Sequence, residues 1–561
     1  MVNPLPSPSF PLNLSPLSQF VCQYQGILEQ WLNERVYGHM KKVAKWHSLM
    51  RVEGVMDFRR LEEICGGYQH SKGPGTKPKY RIGQYVRALF VKYYYGWSYR
   101  ETEERMQHDL VVKWFVGFGV LEGVMDHSAL CLFEQWVEEH CHRAYFDEVL
   151  GQIDRDIPEA DGEVQIGDTY GMYARAAQES LIQLLRHTTR LLLGELERGD
   201  AKGYAAILLQ VPEMDNWMKE KREAYIYKMK SEEIAQFRLE AGRLAWKVYQ
   251  QVAAGQEQRR DEVKQRVQIR LEDLNKILHD EFDIKPDGKN ELQVLEEKDS
   301  KHKGEFRQCS ANDPDATCRN HGGEKIVGYN VSLAVTQLGF VREIAAATGA
   351  EPDRTGIPEL ISAQQQHGYP LPKKLIYDQA GGTGRTRAVV EQLSDGQTQL
   401  VAKIPPPTVG GRFTPDDFHF NEAGELVCPQ QRTTSSHHRS DQRDGDHFTF
   451  SAKCCSGCPL WSQCREPDAS PKGNRNVFIS DYREHIRQAQ AYNLSQDFQS
   501  DMKLRPLVER VIFMLTHYDH ARFASTTGLH RADFQVKMAA SMRNLRTWIN
   551  LRLRRSAPLP R

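Results

Sequence analysis

The sequence predicts an α/β core combined with an N-terminal all-α domain, a long helical insertion and a loop-rich insertion that contains cysteines. Three observations support this fold class. The chain has 561 residues, more than a single hydrophobic core usually organises. Apolar residues alternate with small or polar ones over residues 326–335, the period of a strand. Helical periodicity fills residues 80–135 and most of residues 176–282.

The start of the chain predicts no folded element. Residues 1–20, MVNPLPSPSFPLNLSPLSQF, are rich in proline and serine and predict a disordered leader. They lack a basic region followed by an apolar core, so no secretory signal is predicted. The sequence also lacks an apolar run long enough to span a bilayer, and we expect no membrane partner.

Residues 21–150 predict a helical domain. One helix is expected to end at a turn near Gly96, and Ser98 with Glu101 forms a capping box that begins the next helix. A helix, a tight turn and a second helix in a basic segment are compatible with a DNA-binding helix-turn-helix, although ordinary packed helices give the same pattern. The apolar stripe of the first helix consists of Ile82, Val86, Leu89 and Phe90.

Charge is unevenly distributed along the chain. The net charge is zero, which by itself argues against a nucleic-acid-binding protein. Residues 35–115, however, contain sixteen Lys and Arg against eight Asp and Glu, and residues 501–561 contain twelve against four. Residues 232–300 contain twelve basic against sixteen acidic residues. Basic ends around a mildly acidic middle fit a protein that binds a polyanion at two places, with ordinary charge fluctuation as the alternative.

Residues 181–304 predict a helical insertion. Apolar residues at heptad-like spacing form two groups separated by the sequence AAGQEQ, which predicts two long helices folded as a hairpin that serves as an arm or spacer. The two groups are Ile234, Phe237, Ala241, Leu244 and Val248, then Val263, Val267, Leu271, Leu274 and Leu278.

Two aspartates follow short apolar runs that predict strands. Asp168 ends the run that contains Val164 and Ile166, and Asp378 ends the run PKKLIYD. A strand-end aspartate is most often a cap or turn residue. Two carboxylates on neighbouring strand ends would repel each other, and a divalent cation such as magnesium or manganese would offset that repulsion. The acids therefore predict a metal site if the fold brings them together.

The loop-rich residues 401–494 contain a cluster of cysteines. Cys455 and Cys458 have the two-residue spacing of a zinc knuckle, and Cys464 and Cys428 complete four thiolates. Cys454 is a competing ligand, and free thiols that bind no metal are the alternative. A second set, Cys309 and Cys318 with His321, is a weaker zinc candidate.

Several segments together resemble the bacterial insertion-sequence transposases of the DDE class. Residues 87–133 resemble the N-terminal helical domain of these enzymes, and residues 428–464 resemble the cysteine-bearing insert of one branch. The segments IGDTYGMYARA and LIYDQAGGTG resemble the two catalytic-aspartate segments, and RPLVERVIF resembles the helix of the third acid. GLHRADFQVKMAASMRNL resembles the C-terminus of the family.

The resemblance implies a ribonuclease-H-like catalytic core in which the first strand lies beside the fourth. Asp168, Asp378 and Glu509 would be the catalytic acids, binding two magnesium or manganese ions, with their carboxylates within about 8 Å of one another. The core would comprise residues 160–180, 305–400 and 495–550, followed by a basic tail at residues 551–561.

The resemblance also implies partners and a location. Double-stranded DNA, both element ends and target, would be the substrate, bound by a homodimer or larger assembly in the bacterial cytoplasm. In related motifs a tyrosine and a lysine stand where this chain has Met502 and Thr516. How the protein would hold the element end is therefore an open question. The alternatives are a catalytically retired transposase that only binds DNA and a zinc-dependent scaffold with structural acids.

Overall fold

The computed structural model describes residues 16–69, 79–219, 228–286, 292–321, 323–405, 412–466, 468–470 and 472–556. The chain divides into two compact units. The first comprises Met1–Glu159, Phe513–Thr526 and His530–Arg561, and the second comprises Ala160–Ile512 and Thr527–Leu529. None of the described helices is long and apolar enough to cross a membrane.

The part of the first unit that precedes the sheet is helical, as predicted. Gly96, in a left-handed conformation with φ 69°, ends the fourth helix. Ser98 caps the fifth reciprocally with Glu101, so the predicted capping box is confirmed. The first helix begins at Pro16, so residues 16–20 of the predicted leader are helical, while residues 1–15 lie outside the described residues. The helices are α1 Pro16–Val43, α2 Ser48–Glu53, α3 Arg59–Ile64, α4 Ile82–Tyr95, α5 Tyr99–His108, α6 Leu110–Val116, α7 His127–His140 and α8 Ala144–Asp156.

The second unit begins with strand β1, Val164–Tyr173, which is followed by the helical insertion. The predicted hairpin is present, but a third long helix packs against both of its arms. The two apolar stripes would stay partly exposed without that helix, so the insertion is a small helical bundle with its own apolar core rather than a two-helix arm. Its elements are α9 Leu181–Gly199, α10 Ala201–Gln210, α11 Glu213–Lys219, α12 Ser231–Ala254, α13 Asp261–Glu281, β2 Phe282–Pro286 and β3 Leu292–Glu297.

A six-stranded mixed sheet forms the centre of the second unit. Its strand order is β4-β5-β1-β7-β8, and β6 also pairs with β5. β5 and β6 form an antiparallel hairpin, β1 runs antiparallel to β5, and β1, β7 and β8 run parallel to one another. Its remaining strands and the helices among them are β4 Thr317–His321, β5 Glu324–Thr336, β6 Val341–Thr348, α14 Gly356–Gln366, β7 Lys374–Ile376, α15 Gly384–Leu393 and β8 Gln399–Val401.

The cysteine-bearing segment forms short strands around a small apolar cluster. The chain then returns to the sheet through three helices, and the division between the units falls within the third of them. The residues from 551 to 556 of the predicted basic tail continue the last helix. The elements are β9 His419–Phe420, β10 Leu426–Val427, β11 Thr433–Thr434, β12 His437–Arg439, β13 Gly445–Phe450, α16 Ala452–Cys455, α17 Trp461–Cys464, β14 Arg475–Ser480, α18 Arg483–Asn493, α19 Gln496–Met502, α20 Pro506–His517 and α21 Leu529–Ser556.

Candidate active site

Asp168 lies in the middle of β1 and not at its end. The strand continues to Tyr173, and Asp168 stands opposite Leu333 of β5 in the antiparallel register. The strand-end prediction for this residue is therefore wrong. The residues after it, TYGMY, alternate less clearly because of Gly171, yet they complete the ladder with β5.

Asp378 lies two residues beyond the end of β7 and caps a short turn. Its Oδ1 accepts a hydrogen bond from the Gly381 amide at 3.3 Å. β1 pairs with β7 in parallel, with Ile166 opposite Ile376. Each aspartate lies two residues beyond this pair along its chain, and the Asp378 charge acts on the Asp168 carboxyl. The two aspartates therefore belong to adjacent chain segments.

The Tyr377 ring fits between two glycines beside these acids. A Cβ atom on Gly167 would lie 2.7 Å from ring carbons of Tyr377, and one on Gly381 would also lie 2.7 Å from that ring. Tyr377 is fully buried. Gly167 directly precedes Asp168, and Gly381 follows Asp378 by three residues. Because neither glycine has a side chain, β1 and the Asp378 segment can approach each other closely.

Replacing Gly167 with alanine should therefore destabilise the sheet unit. The new methyl group would collide with the Tyr377 ring, and overpacking of this kind costs about 1–3 kcal/mol. We expect a lower melting temperature in thermal unfolding. Gly194→Ala is the matched control, because no atom lies within 4 Å of its Cβ position in α9. Equal melting temperatures for Gly167→Ala and wild type would show that Tyr377 can move aside without cost.

Arg505 holds β1 at the position of the first aspartate. Its guanidinium donates to the Gly167 carbonyl oxygen at 2.8 Å and to the Asp168 Oδ2 at 3.0 Å. Burial raises the pKa of Asp168, while the Arg505 charge and the Thr169 amide lower it and the Asp378 charge raises it further. The carboxyl of Asp168 is thus desolvated, partly neutralised by one cation and sensitive to the charge of the second aspartate.

A second clamp ties the segment before α20 to β7. Lys374, the first residue of β7, donates to the Asp501 carboxylate at 2.9 Å and to the Tyr492 hydroxyl at 2.8 Å. The Tyr492 hydroxyl donates in turn to Asp501 at 2.6 Å. Together with Arg505, this network fixes the chain that enters α20 to both central parallel strands.

Glu509 lies in the first turn of α20, four residues after Arg505, and is exposed to solvent. The contact between this end of the helix and Asp168 is made by Arg505. Within the part of the chain that the structure describes, no three His, Cys, Asp or Glu side chains are arranged to hold a metal ion. The convergence of all three acids therefore stays a prediction.

Sequence reasoning missed the bond between Arg505 and Asp168. It also missed the Tyr377 contact, although glycines beside both aspartates were a visible signal of close chain approach. The lysine clamp had no local signal, because Lys374 and Asp501 are 127 residues apart.

The cysteines proposed as zinc ligands are free thiols, like all ten cysteines with described side chains. Cys428, Cys454, Cys455, Cys458 and Cys464 line one small cavity. Cys309 is buried and Cys318 is partly buried, while the side chain of His321, the third member of the weaker set, lies outside the described residues.

Two family models match the chain. Residues 39–136 match the model described as Transposase domain (DUF772), and residues 427–549 match the one described as Transposase DDE domain. The second match includes Arg505, Glu509 and the cysteine cluster. No curated protein and no solved structure matches the chain. The two family matches agree with the resemblance noted in the sequence and support an insertion-sequence transposase of the DDE class.

Proposed function

We propose that this transposase cuts the ends of its element and joins them to target DNA by metal-dependent phosphoryl transfer at Asp168, Asp378 and Glu509, within a ribonuclease-H-like core. The observation that supports the proposal is the parallel pairing of β1, which contains Asp168, with β7, which ends two residues before Asp378. The strand order, with β6 and β5 antiparallel on one side of β1 and two parallel strands on the other, is compatible with that core.

The aspartates fit a divalent metal site by their chemistry. Both offer hard carboxylate oxygens, the ligands that magnesium and manganese prefer. Asp168 is buried enough to raise its pKa, and the Asp378 charge raises it further, so an added cation would relieve an unfavourable environment. When two such ions are bound, they stabilise the attacking and leaving oxygens of an in-line displacement. Glu509 would complete the second ion's ligands.

The chain itself would position the acids and the DNA. Arg505 would keep β1 and the start of α20 in register, so that Glu509 faces the aspartates. In the first reaction water attacks the phosphorus and the bond to the 3′-oxygen breaks, which frees the 3′-hydroxyl at the element end. That hydroxyl then attacks a target phosphodiester and displaces its 3′-oxygen. The DNA supplies the second nucleophile, so no side-chain nucleophile is required.

Basic residues would hold the DNA. In the first unit, Lys41, Lys42 and Lys45 are exposed at the end of α1 and just after it, and Arg100 and Arg105 are exposed on α5. Phosphate contacts by such residues release counterions, so binding of element ends should weaken as salt increases. The α4–α5 pair is the candidate helix-turn-helix. The assembly on DNA would be a homodimer or larger.

The test compares Asp168→Asn, Glu509→Gln and the variant with both changes on a DNA duplex that contains an element end. Each single change should abolish cleavage in magnesium. The variant with both changes should lose no more activity than either single variant, because the acids act as one unit. Cleavage is followed on denaturing gels and binding by fluorescence anisotropy. Full cleavage by either single variant would refute this site. Wild-type protein that binds ends but cuts them in neither magnesium nor manganese would favour the retired transposase.

A further inference from the structure

The cysteine-bearing segment surrounds a cavity of about 30 Å³, large enough for one small ion or water molecule. All five cysteines of residues 401–494 line it, and Phe418, Phe450 and Trp461 add aromatic walls. Cys428, Cys454, Cys455 and Cys464 also pack against the apolar cluster of this segment. Arg432, Arg465 and Arg475 complete the lining, so a single cavity collects every thiol of the segment.

This segment has little else to stabilise it. Its buried apolar cluster consists of six residues, and three of its strands are only two residues long. Small, loop-rich modules usually need disulfides or a structural metal to stay folded. Since the described cysteines are free thiols, disulfides do not supply this stability here.

The backbone presents two of these cysteines on one tight turn. The Cys458 amide donates to the Cys455 carbonyl oxygen at 3.2 Å, and Gly457 between them has φ 68°. This turn is compatible with the knuckle in which a Cys-x-x-Cys pair binds a metal. Cys428 starts a comparable turn: its carbonyl oxygen accepts from the Gln431 amide at 2.8 Å, and Gln431 has φ 61°.

We propose that Cys428, Cys455, Cys458 and Cys464 bind one structural zinc ion in this cavity. Thiolate sulfur is the preferred donor for zinc, and four thiolates give a closed tetrahedral site. Cys454 also lines the cavity, but Cys455 and not Cys454 has the two-residue spacing from Cys458 that a knuckle requires, so Cys455 is assigned as the ligand. The thiols do not stand in coordinating geometry as they are, so binding requires their side chains to rotate about χ1.

The ion would stabilise the connection from this segment to the core. Arg483, the first residue of α18, donates to the carbonyl oxygens of Pro415 and Phe418, and Phe418 lines the cavity. α18 packs on α15, where a Cβ on Gly384 would lie 2.7 Å from Tyr482. α15 begins six residues after Asp378, so zinc would support this region without contributing to the chemistry.

The experiment measures the zinc content of the full chain, purified under reducing conditions, by plasma mass spectrometry. Wild type and Cys454→Ser should contain one zinc per chain. The zinc content of a Cys428→Ser/Cys455→Ser variant should be lower by a factor of about ten or more. Wild-type protein in which cobalt replaces zinc should show the absorption of a tetrahedral thiolate site, a measurement that does not depend on the variants folding.

Three results would overturn the site. Wild-type protein that takes up neither zinc nor cobalt has no such site. Full zinc content in the double variant excludes these ligands, and so does loss of zinc from Cys454→Ser. The proposal is independent of the proposed function: Asp378→Asn should keep its zinc whether or not it cuts DNA.

Discussion

Replacing Asp378 with asparagine should reduce strand cleavage of element-end DNA by about 10³-fold or more, with binding unchanged. A bound cation supplies several kcal/mol of transition-state stabilisation, and each 1.4 kcal/mol corresponds to a factor of ten in rate. Asparagine keeps the oxygen that accepts the Gly381 amide, so the turn after β7 should persist. Only the negative charge of the ligand is lost.

Asp395→Asn is the matched control. Asp395 is exposed on the loop after α15 and has φ 48°, a conformation that asparagine tolerates well. This variant loses the same charge in the same unit and should cut DNA at the wild-type rate. Anisotropy titrations over a range of salt concentrations should give parallel curves for wild type and both variants. Cleavage by Asp378→Asn at the rate of Asp395→Asn would remove Asp378 from the site.

The sequence predicted the local structure around Asp378 best among the candidate site residues. A short apolar run, an aspartate and then glycines correspond directly to the strand β7, the cap and the turn. Asp168 was predicted to end a strand, and that position is wrong because β1 continues to Tyr173. Periodicity identifies an element more reliably than it identifies its last residue, because a glycine such as Gly171 interrupts the apolar pattern without interrupting the backbone ladder.

Long-range contacts had no signal in the sequence. Arg505 lies 337 residues from Asp168, and nothing in either segment specifies the other as its partner. Glu509 was identified only through the family resemblance. An exposed glutamate on an amphipathic helix is common in proteins, so nothing else in the sequence distinguishes this one. The helical insertion was predicted only in part, because its missing contacts are also between distant segments. The apolar stripes on α12 and α13 indicate that these two helices pack against each other, but they do not show that α9 packs against both.

Arg505 is the residue whose replacement should separate metal affinity from catalytic rate. Its guanidinium neutralises Asp168 and ties the start of α20 to the Gly167 carbonyl. In Arg505→Ala the two aspartates would carry more uncompensated negative charge, so cleavage should reach half its maximum at a lower magnesium concentration. The maximal rate should nevertheless fall about 10–100-fold, because Glu509 would lose the contact that positions its helix.

Arg505→Lys and Arg510→Ala complete this experiment. Lysine keeps the charge but cannot donate to both oxygens in one planar fork, so its magnesium midpoint should stay near that of wild type while its maximal rate falls. Arg510 is exposed on α20, and its loss should weaken DNA binding without moving the magnesium midpoint. A wild-type maximal rate for Arg505→Ala would show that Glu509 is positioned without Arg505. An unchanged magnesium midpoint would show that Arg505 leaves Asp168 when the metal binds, and that the ion pair belongs only to the metal-free protein.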